Sequence, residues 1–281
     1  MREFWSKFSH NRGAVIGLVL MAIVCLVALL APLVFPESPC KMVQRPFLPP
    51  FENGAFLLCT DTLGRDVAAG LAHGARISIL VGFVSTLVDL LIGVPIGALA
   101  GYNGGLVDDA LMRLTELFQT VPSFALAIVL VAIFQPSVVS IIGAIAVVSW
   151  PPVARLVRGE VLSLRTREYV EAATVVGQSH LTIIVRQILP NALSSIIVLA
   201  SLMVATAILL ESSLSFLGLG DPNVMSWGYM IGASRTVIRQ AWWLSFFPGL
   251  AILLTVLALN LIGEGLNDAF NPRLVRRRSQ G

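Results

Sequence analysis

Residues 168–190 read EYVEAATVVGQSHLTIIVRQILP, a polar, helix-forming stretch set between two apolar runs that are each long enough to cross a bilayer. On a helix, Tyr169, Ala172, Ala173 and Val176 fall on one face by the i, i+3, i+4, i+7 rule. That face is bulky at one end and flat at Ala172 and Ala173, a shape that lets another protein's surface come close. Gly177 lets the chain turn, and a second helical piece, Ser179 to Ile188, leads into Leu189 and Pro190. A connector of this length with no task of its own is uncommon in a compact protein. The stretch therefore reads as a docking element, with an ordinary solvated linker as the plainer alternative.

Composition sets the frame for that reading. Of 281 residues, 56% are hydrophobic and 12% charged, and the mean hydropathy is +0.85. A soluble domain carries about twice that charge, so the chain is an integral membrane protein of the all-α class. The net charge of +3 comes mainly from basic residues beside apolar runs, which fits membrane topology better than nucleic-acid binding. Three cysteines at unrelated spacings and three scattered histidines give no metal site. No phosphate-binding Gly-x-x-x-x-Gly-Lys-Ser/Thr loop occurs, so the chain does not hydrolyse ATP by that chemistry. No catalytic constellation is visible either.

The apolar runs predict six transmembrane helices. Residues 1–12 form an interfacial segment of Phe4, Trp5 and Phe8 among basic residues. Gly13 to Phe35, 23 uncharged residues, is too long for a signal peptide's apolar region and reads as the first span. Residues 36–73 are polar and proline-rich, an outer loop. Span two runs from about Ile77 to Tyr102, interrupted by Asp89, and its Gly93, Gly97 and Gly101 make a bare stripe for close helix packing. Span three covers about Val107 to Phe134, span four about Ser137 to Val157, span five Ile188 to about Phe216, and span six Ala241 to about Leu266. The membrane domain as a whole is 13–273, with a coupling loop at 158–187 and a basic tail at 274–281. Arg2, Lys7, Arg12, the five arginines between 155 and 186, and the tail outnumber the basic residues of the other side. That bias predicts both termini and the coupling loop in the cytoplasm.

Glu171-Ala172-Ala173, Gly177 and Leu189-Pro190 resemble the signature loop of permease subunits of bacterial ABC importers, where it forms coupling helices seated in a partner ATPase. Further matches are CTDTLGRD (59–66), GARISILVG (74–82), AGYNGGLVD (100–108), SFLGLG (215–220), SWG (226–228), FPGLAILLTVLALNLIGEGL (247–266) and DAFNPR (268–273). Together they resemble the dipeptide, oligopeptide and nickel permease family, in particular its second, six-span permease. Two positions depart from the pattern: Cys59 replaces a usual glycine, and Gln187 stands where the wider pattern has an apolar residue.

The resemblance implies a type I ABC importer permease fold in the bacterial cytoplasmic (inner) membrane. It also implies a homologous permease as heterodimer partner, two ATP-binding subunits that use ATP and magnesium, and an extracytoplasmic substrate-binding protein. This chain would bind no cofactor beyond its contact with membrane lipid, and no nucleic acid. Peptides are the implied cargo; nickel or metal chelates, glutathione and opines are the alternatives on the same machinery. A secondary transporter would need a titratable chain at mid-membrane or an inverted repeat, and a membrane enzyme would need a reactive surface set; the signature loop argues against both.

Ionisable residues inside spans are costly and point to function. Glu211 and Asp89 are the candidates for the translocation path, with a structural partner as the alternative for Glu211; Glu116 could pair with Arg113 one turn away. Cys40 and Cys59 stand either as a disulfide closing 18 intervening residues or as two free thiols, and Cys25 reads as a buried apolar filler.

Overall fold

The structure, a computed structural model, describes residues 5, 8–52, 56 and 58–270. The basic tail at 274–281 and most of the first seven residues lie outside the described part. Ten helices carry the described residues: α1 (Arg12–Val34), α2 (Val67–Asn103), α3 (Gly105–Thr120), α4 (Ser123–Phe134), α5 (Val138–Leu164), α6 (Glu168–Val175), α7 (His180–Ile183), α8 (Leu189–Leu214), α9 (Trp227–Ser234) and α10 (Trp243–Phe270). Short π-helical turns at Ile184–Ile188 and Ser215–Leu219 adjoin the two ends of α8. Five helices are long and apolar enough to span a bilayer, and a bent pair, α3 with α4, brings the number to six.

That pair corrects the expected third span. The two helices meet at 80°, because Pro122 offers no N–H and pushes the residue before it out of helical geometry. Val121 is accordingly extended, at φ −89° and ψ 131°. The neighbouring prolines Pro151 and Pro152, by contrast, lie inside α5 without ending it. This helix continues to Leu164, so the first part of the expected coupling loop at 158–187 belongs to α5.

The central helix is α2, and it begins ten residues earlier than the sequence reading put it. Asp66 caps it, accepting a hydrogen bond from the Ala68 amide at 2.8 Å, a start signal that the polar look of the preceding loop obscured. Thirty-seven residues give it a length of about 55 Å at 1.5 Å per residue, so it outruns the hydrocarbon layer. The glycine stripe lies along α5. A Cβ on Gly93 would sit 2.6 Å from that of Val153, and one on Gly101 would sit 2.7 Å from the Arg158 carbonyl. On another side, Gly82 approaches the Ile208 side chain of α8, and Gly74 approaches Trp227 of α9. Small residues at these crossings let backbones meet where lipid gives no hydrophobic drive for helix association.

At one end of the molecule, α1 and α10 are joined by Asn11, whose Nδ2 donates to Asp268 Oδ2 at 2.9 Å. Phe8, expected in the membrane interface, is instead buried against Ala14, Leu266 and Ala269. At the other end, the outer segment folds on itself through Thr60, which donates to the Arg45 carbonyl at 2.7 Å and accepts from the Leu48 amide at 3.0 Å. Arg65 pairs with Asp61 at 2.6 Å and places its guanidinium over the Tyr229 ring, tying this segment to α9. Cys40 is exposed, Cys59 is fully buried, and both are free thiols. The disulfide reading is therefore not realised: one sulfur lies in the core that covers the start of α2, the other on a turn facing out. Cys25, expected to be buried, is only half-buried, since much of α1 faces outward along Ile23, Leu26, Leu29 and Leu33.

Candidate functional site

The 168–190 stretch folds as one short helix, α6, a glycine turn, and the opening turns of a helix that runs on through α7, the π-helical turn and α8. Glu168 and Glu171 occupy the first turn of α6, where carboxylates suit the positive end of the helix dipole. Gly177 then takes φ +80°, a region where a Cβ is penalised, and the amide of Gln178 reaches back to the Ala173 carbonyl at 3.1 Å. Ser179 caps the next helix, its Oγ accepting from the Thr182 amide at 3.3 Å. Pro190 directly follows the π-helical turn Ile184–Ile188 in a helix that runs without a break from His180 to Leu219, and such a local widening accommodates the missing N–H. Leu189, half-buried, packs against the cluster that holds Ile183, Ile184 and Ile188.

The face expected to meet a partner is corrected in one respect. Ala173 is buried together with Val170 against Ile183 and Ile184, so it is how α6 sits on its own chain. Tyr169, Glu171, Ala172 and Val176 are exposed. The outward surface also carries Val175 and Leu181, exposed by 87% and 68%, and Val176 by 80%. A helical period identifies a stripe but not which stripe its own protein covers.

Three links, unseen in the sequence, cluster where this region meets the membrane helices. Tyr102 Oη lies 3.0 Å from His180 Nδ1, with the two rings edge to face. Arg165 Nη1 donates to the carbonyls of Gly101 and Tyr102 at 3.1 and 3.2 Å. Arg158 grips Asp108 with two bonds, Nε to Oδ1 at 2.5 Å and Nη2 to Oδ2 at 2.6 Å. Tyr102 and Asp108 belong to the AGYNGGLVD motif, which was the only available signal; their partners lie 78 and 50 positions away.

The two acidic path candidates differ. Glu211 is buried, and its Oε1 accepts from Ser215 at 2.8 Å and Ser226 at 2.7 Å, so hydroxyl groups of its own chain enclose it. Asp89 is equally buried and neither of its oxygens has a partner within the described structure; the Ser85 hydroxyl one turn before it is also unmet. Glu116 and Arg113 are both exposed. A cavity of about 440 Å³ opens where α3 bends into α4, lined by Phe118, Gln119, Pro122, Ser149, Met203 and Thr206. Its size is that of a small-molecule site, and its polar groups are all uncharged. Among the described residues, no group of three or more histidines, cysteines or acids is placed to hold a metal ion.

The arrangement is that of a multi-pass helical membrane protein with an exposed short helix and glycine turn held against the end of a long central span. Residues 93–276 match the family described as binding-protein-dependent transport system inner membrane component. Residues 1–50 match the N-terminal TM domain of oligopeptide transport permease C. The di/tripeptide transport system permease protein DppC of Pseudomonas aeruginosa (strain UCBPP-PA14) is 41% identical over 98% of this chain and 92% of its own length. The dipeptide permease DppC of Escherichia coli (strain K12) is 44% identical over 98% and 93%, and the glutathione permease GsiD of Pectobacterium atrosepticum is 38% identical over 97% and 91%. Among solved structures, the MetNI methionine ABC transporter in an inward-facing conformation has a chain that superposes with a TM-score of 0.60 at 18% identity, covering 74% of this chain and 95% of that one.

The chain belongs to the binding-protein-dependent transport system inner membrane component family. It is a permease subunit of an ABC importer, with the type I fold.

Proposed function

We propose that this permease carries di- and tripeptides, or closely related small solutes, into the cytoplasm, driven by ATP that partner subunits hydrolyse with magnesium. The observation that carries the reading is the coupling loop itself. Val175, Val176 and Leu181 are apolar and exposed on short helices whose other face is anchored to the membrane domain. An exposed apolar patch with a polar rim marks a protein contact. Tyr169, Glu171 and Ala172 extend that surface, Gly177 sets its angle, and Ala173, Leu189 and Pro190 hold it to the chain.

In this reading the loop and both termini face the cytoplasm, and two ATP-binding subunits meet this chain and a homologous permease. A substrate-binding protein delivers cargo at the opposite face. Closure of the ATPase pair favours one of two arrangements of the membrane helices, so that alternating access is a population shift biased by nucleotide. The chain itself performs no chemistry. The 440 Å³ cavity forms part of the path, offering amide and hydroxyl hydrogen bonds without a fixed charge. Glu211 stiffens the far side of the molecule, and Asp89 remains the acidic candidate beside the path. What supports peptides over metal chelates, glutathione or opines is the likeness to a di/tripeptide permease at 41% identity and a dipeptide permease at 44%.

The test is uptake by the complete transporter in proteoliposomes loaded with ATP, offering labelled dipeptide, glutathione and nickel chelate in parallel. Dipeptide uptake that stops without ATP supports the proposal. Uptake of only one of the other solutes moves the cargo class, and uptake by the chain alone without ATP overturns the ABC mechanism.

A further inference from the structure

Resting on the permease reading above, we infer that the corner between α2 and α3, residues 101–108, is the joint that carries coupling-loop motion to the translocation path, with Asp108–Arg158 and Tyr102–His180 as its positioning pairs. All three links described for the coupling region converge on this one corner. His180 is the first residue of α7 and holds the last turn of α2 through Tyr102. Arg165, just past the end of α5, caps the carbonyls of Gly101 and Tyr102, groups that a helix terminus leaves without intrahelical partners. Arg158 fixes Asp108 in the first turn of α3. The corner can be this tight because Gly104 and Gly105 take φ +68° and +52°, and because Gly101 brings the α2 backbone against the Arg158 carbonyl.

The other end of α3 is the second half of the argument. That helix is 16 residues long, about 24 Å at 1.5 Å per residue, and ends at the 80° bend where Phe118 and Gln119 line the cavity. Within this chain only Asp108 and Thr115 of α3 are buried, and its main apolar restraint is at the far end, where Phe118 packs edge to face on Trp150 of α5. It is a stiff arm, anchored at Asp108 and hinged at Val121–Pro122. A displacement of α7 reaches Tyr102 directly, and one of α5 reaches Asp108 through a bidentate, charge-assisted pair, the strongest kind of side-chain link.

The experiment uses the complete transporter in proteoliposomes, with ATPase recovery, thermal stability, ATP hydrolysis and dipeptide uptake read on each variant. Asp108→Asn and Arg158→Gln should keep ATPase recovery and hydrolysis within about twofold of wild type while uptake falls about tenfold, the scale of a lost charge-assisted hydrogen bond. More ATP is then consumed per solute moved. The charge-swapped double variant Asp108→Arg with Arg158→Asp should regain about half of the uptake, since the pair is re-formed with reversed sign. Tyr102→Phe keeps the ring contact with His180, removes one hydroxyl, and should raise ATP per solute about threefold. An unchanged ATP-to-solute ratio in Asp108→Asn and Tyr102→Phe overturns the inference. So does loss of ATPase binding in these variants, which would place the corner in docking. Absence of nucleotide-driven uptake by the wild-type complex would instead strike the permease reading itself.

Discussion

The hydroxyl of Ser226 donates to Oε1 of Glu211 at 2.7 Å, joining α8 to the start of α9 across fifteen positions of sequence. Ser215 donates to the same oxygen at 2.8 Å, and Gly228 leaves room beside it, a Cβ there lying 3.1 Å from Oε1. A carboxylate at this place holds the α9 segment down onto the spans. Glu211→Ala removes the shared acceptor and leaves buried hydroxyls unmet, at a cost of roughly 2–4 kcal/mol. Its melting temperature in detergent should fall by several degrees, whereas Glu211→Gln, which keeps an acceptor oxygen, should fall by less than half as much. Equal and negligible shifts for both would show that the hydroxyl cluster contributes nothing to stability.

Close approach of α2 and α5 is equally exposed to a single methyl group. A side chain on Gly97 would run into the Ala154 carbonyl and come within 2.9 Å of Val157 Cβ. Gly97→Val should destabilise by about 1–3 kcal/mol through overpacking, read as reduced thermal stability and reduced yield of assembled complex. Gly143→Ala on α5 points into open space and should leave both unchanged. Identical behaviour of the two variants would remove the glycine stripe from the account.

How far the sequence carries the fold depends on what each residue's signal reports. The stripe of Gly93, Gly97 and Gly101 announces a close neighbour without naming it; α5 is that neighbour because of tertiary contacts no local pattern encodes. Pro122 lies within the apolar run of span three, and composition alone counts such a run as one span although the proline bends it by 80°. Asp66 has a capping side chain, but the mixed polarity of residues 67–73 gives no apolar run by which to extend the span back to it. Ala173 belongs to the right helix and the wrong face, since periodicity is blind to which stripe a protein covers itself. The Asp108–Arg158 pair, separated by 50 positions, has no local signature at all. The helix and glycine turn of residues 168–190 were legible because their residue types and spacing recur as a motif; the α2–α3 corner beside them was legible only as a motif without a role.

The two thiols of the segment before α2 differ in accessibility. Burial, together with Asp66 and Asp61 nearby, pushes the Cys59 thiol up to about 12, so it stays protonated and sheltered at any pH used for labelling. Thiolate is the reactive form. Maleimide should therefore modify exposed Cys40 and leave buried Cys59 unmodified until the protein is unfolded. Peptide mapping of labelled vesicles measures both sites at once. Rapid labelling of Cys59 in the folded protein, or recovery of the two cysteines as a linked peptide, would contradict the described packing.

The exposed side of α6 and α7 is the proposed surface that engages the ATPase. Gly177→Asp forces a side chain onto a residue at φ +80°, and Glu171→Lys reverses a charge on an exposed first turn. The most direct measurement is recovery of the ATP-binding subunits with affinity-tagged permease carrying each substitution, beside Gln178→Ala as the control. Both substitutions should lower ATPase recovery by about tenfold, the scale of losing one strong interface residue, with membrane insertion and pairing to the second permease intact and Gln178→Ala within about twofold of wild type. Full ATPase recovery with both Gly177→Asp and Glu171→Lys would contradict the claim and return this stretch to the status of a connector.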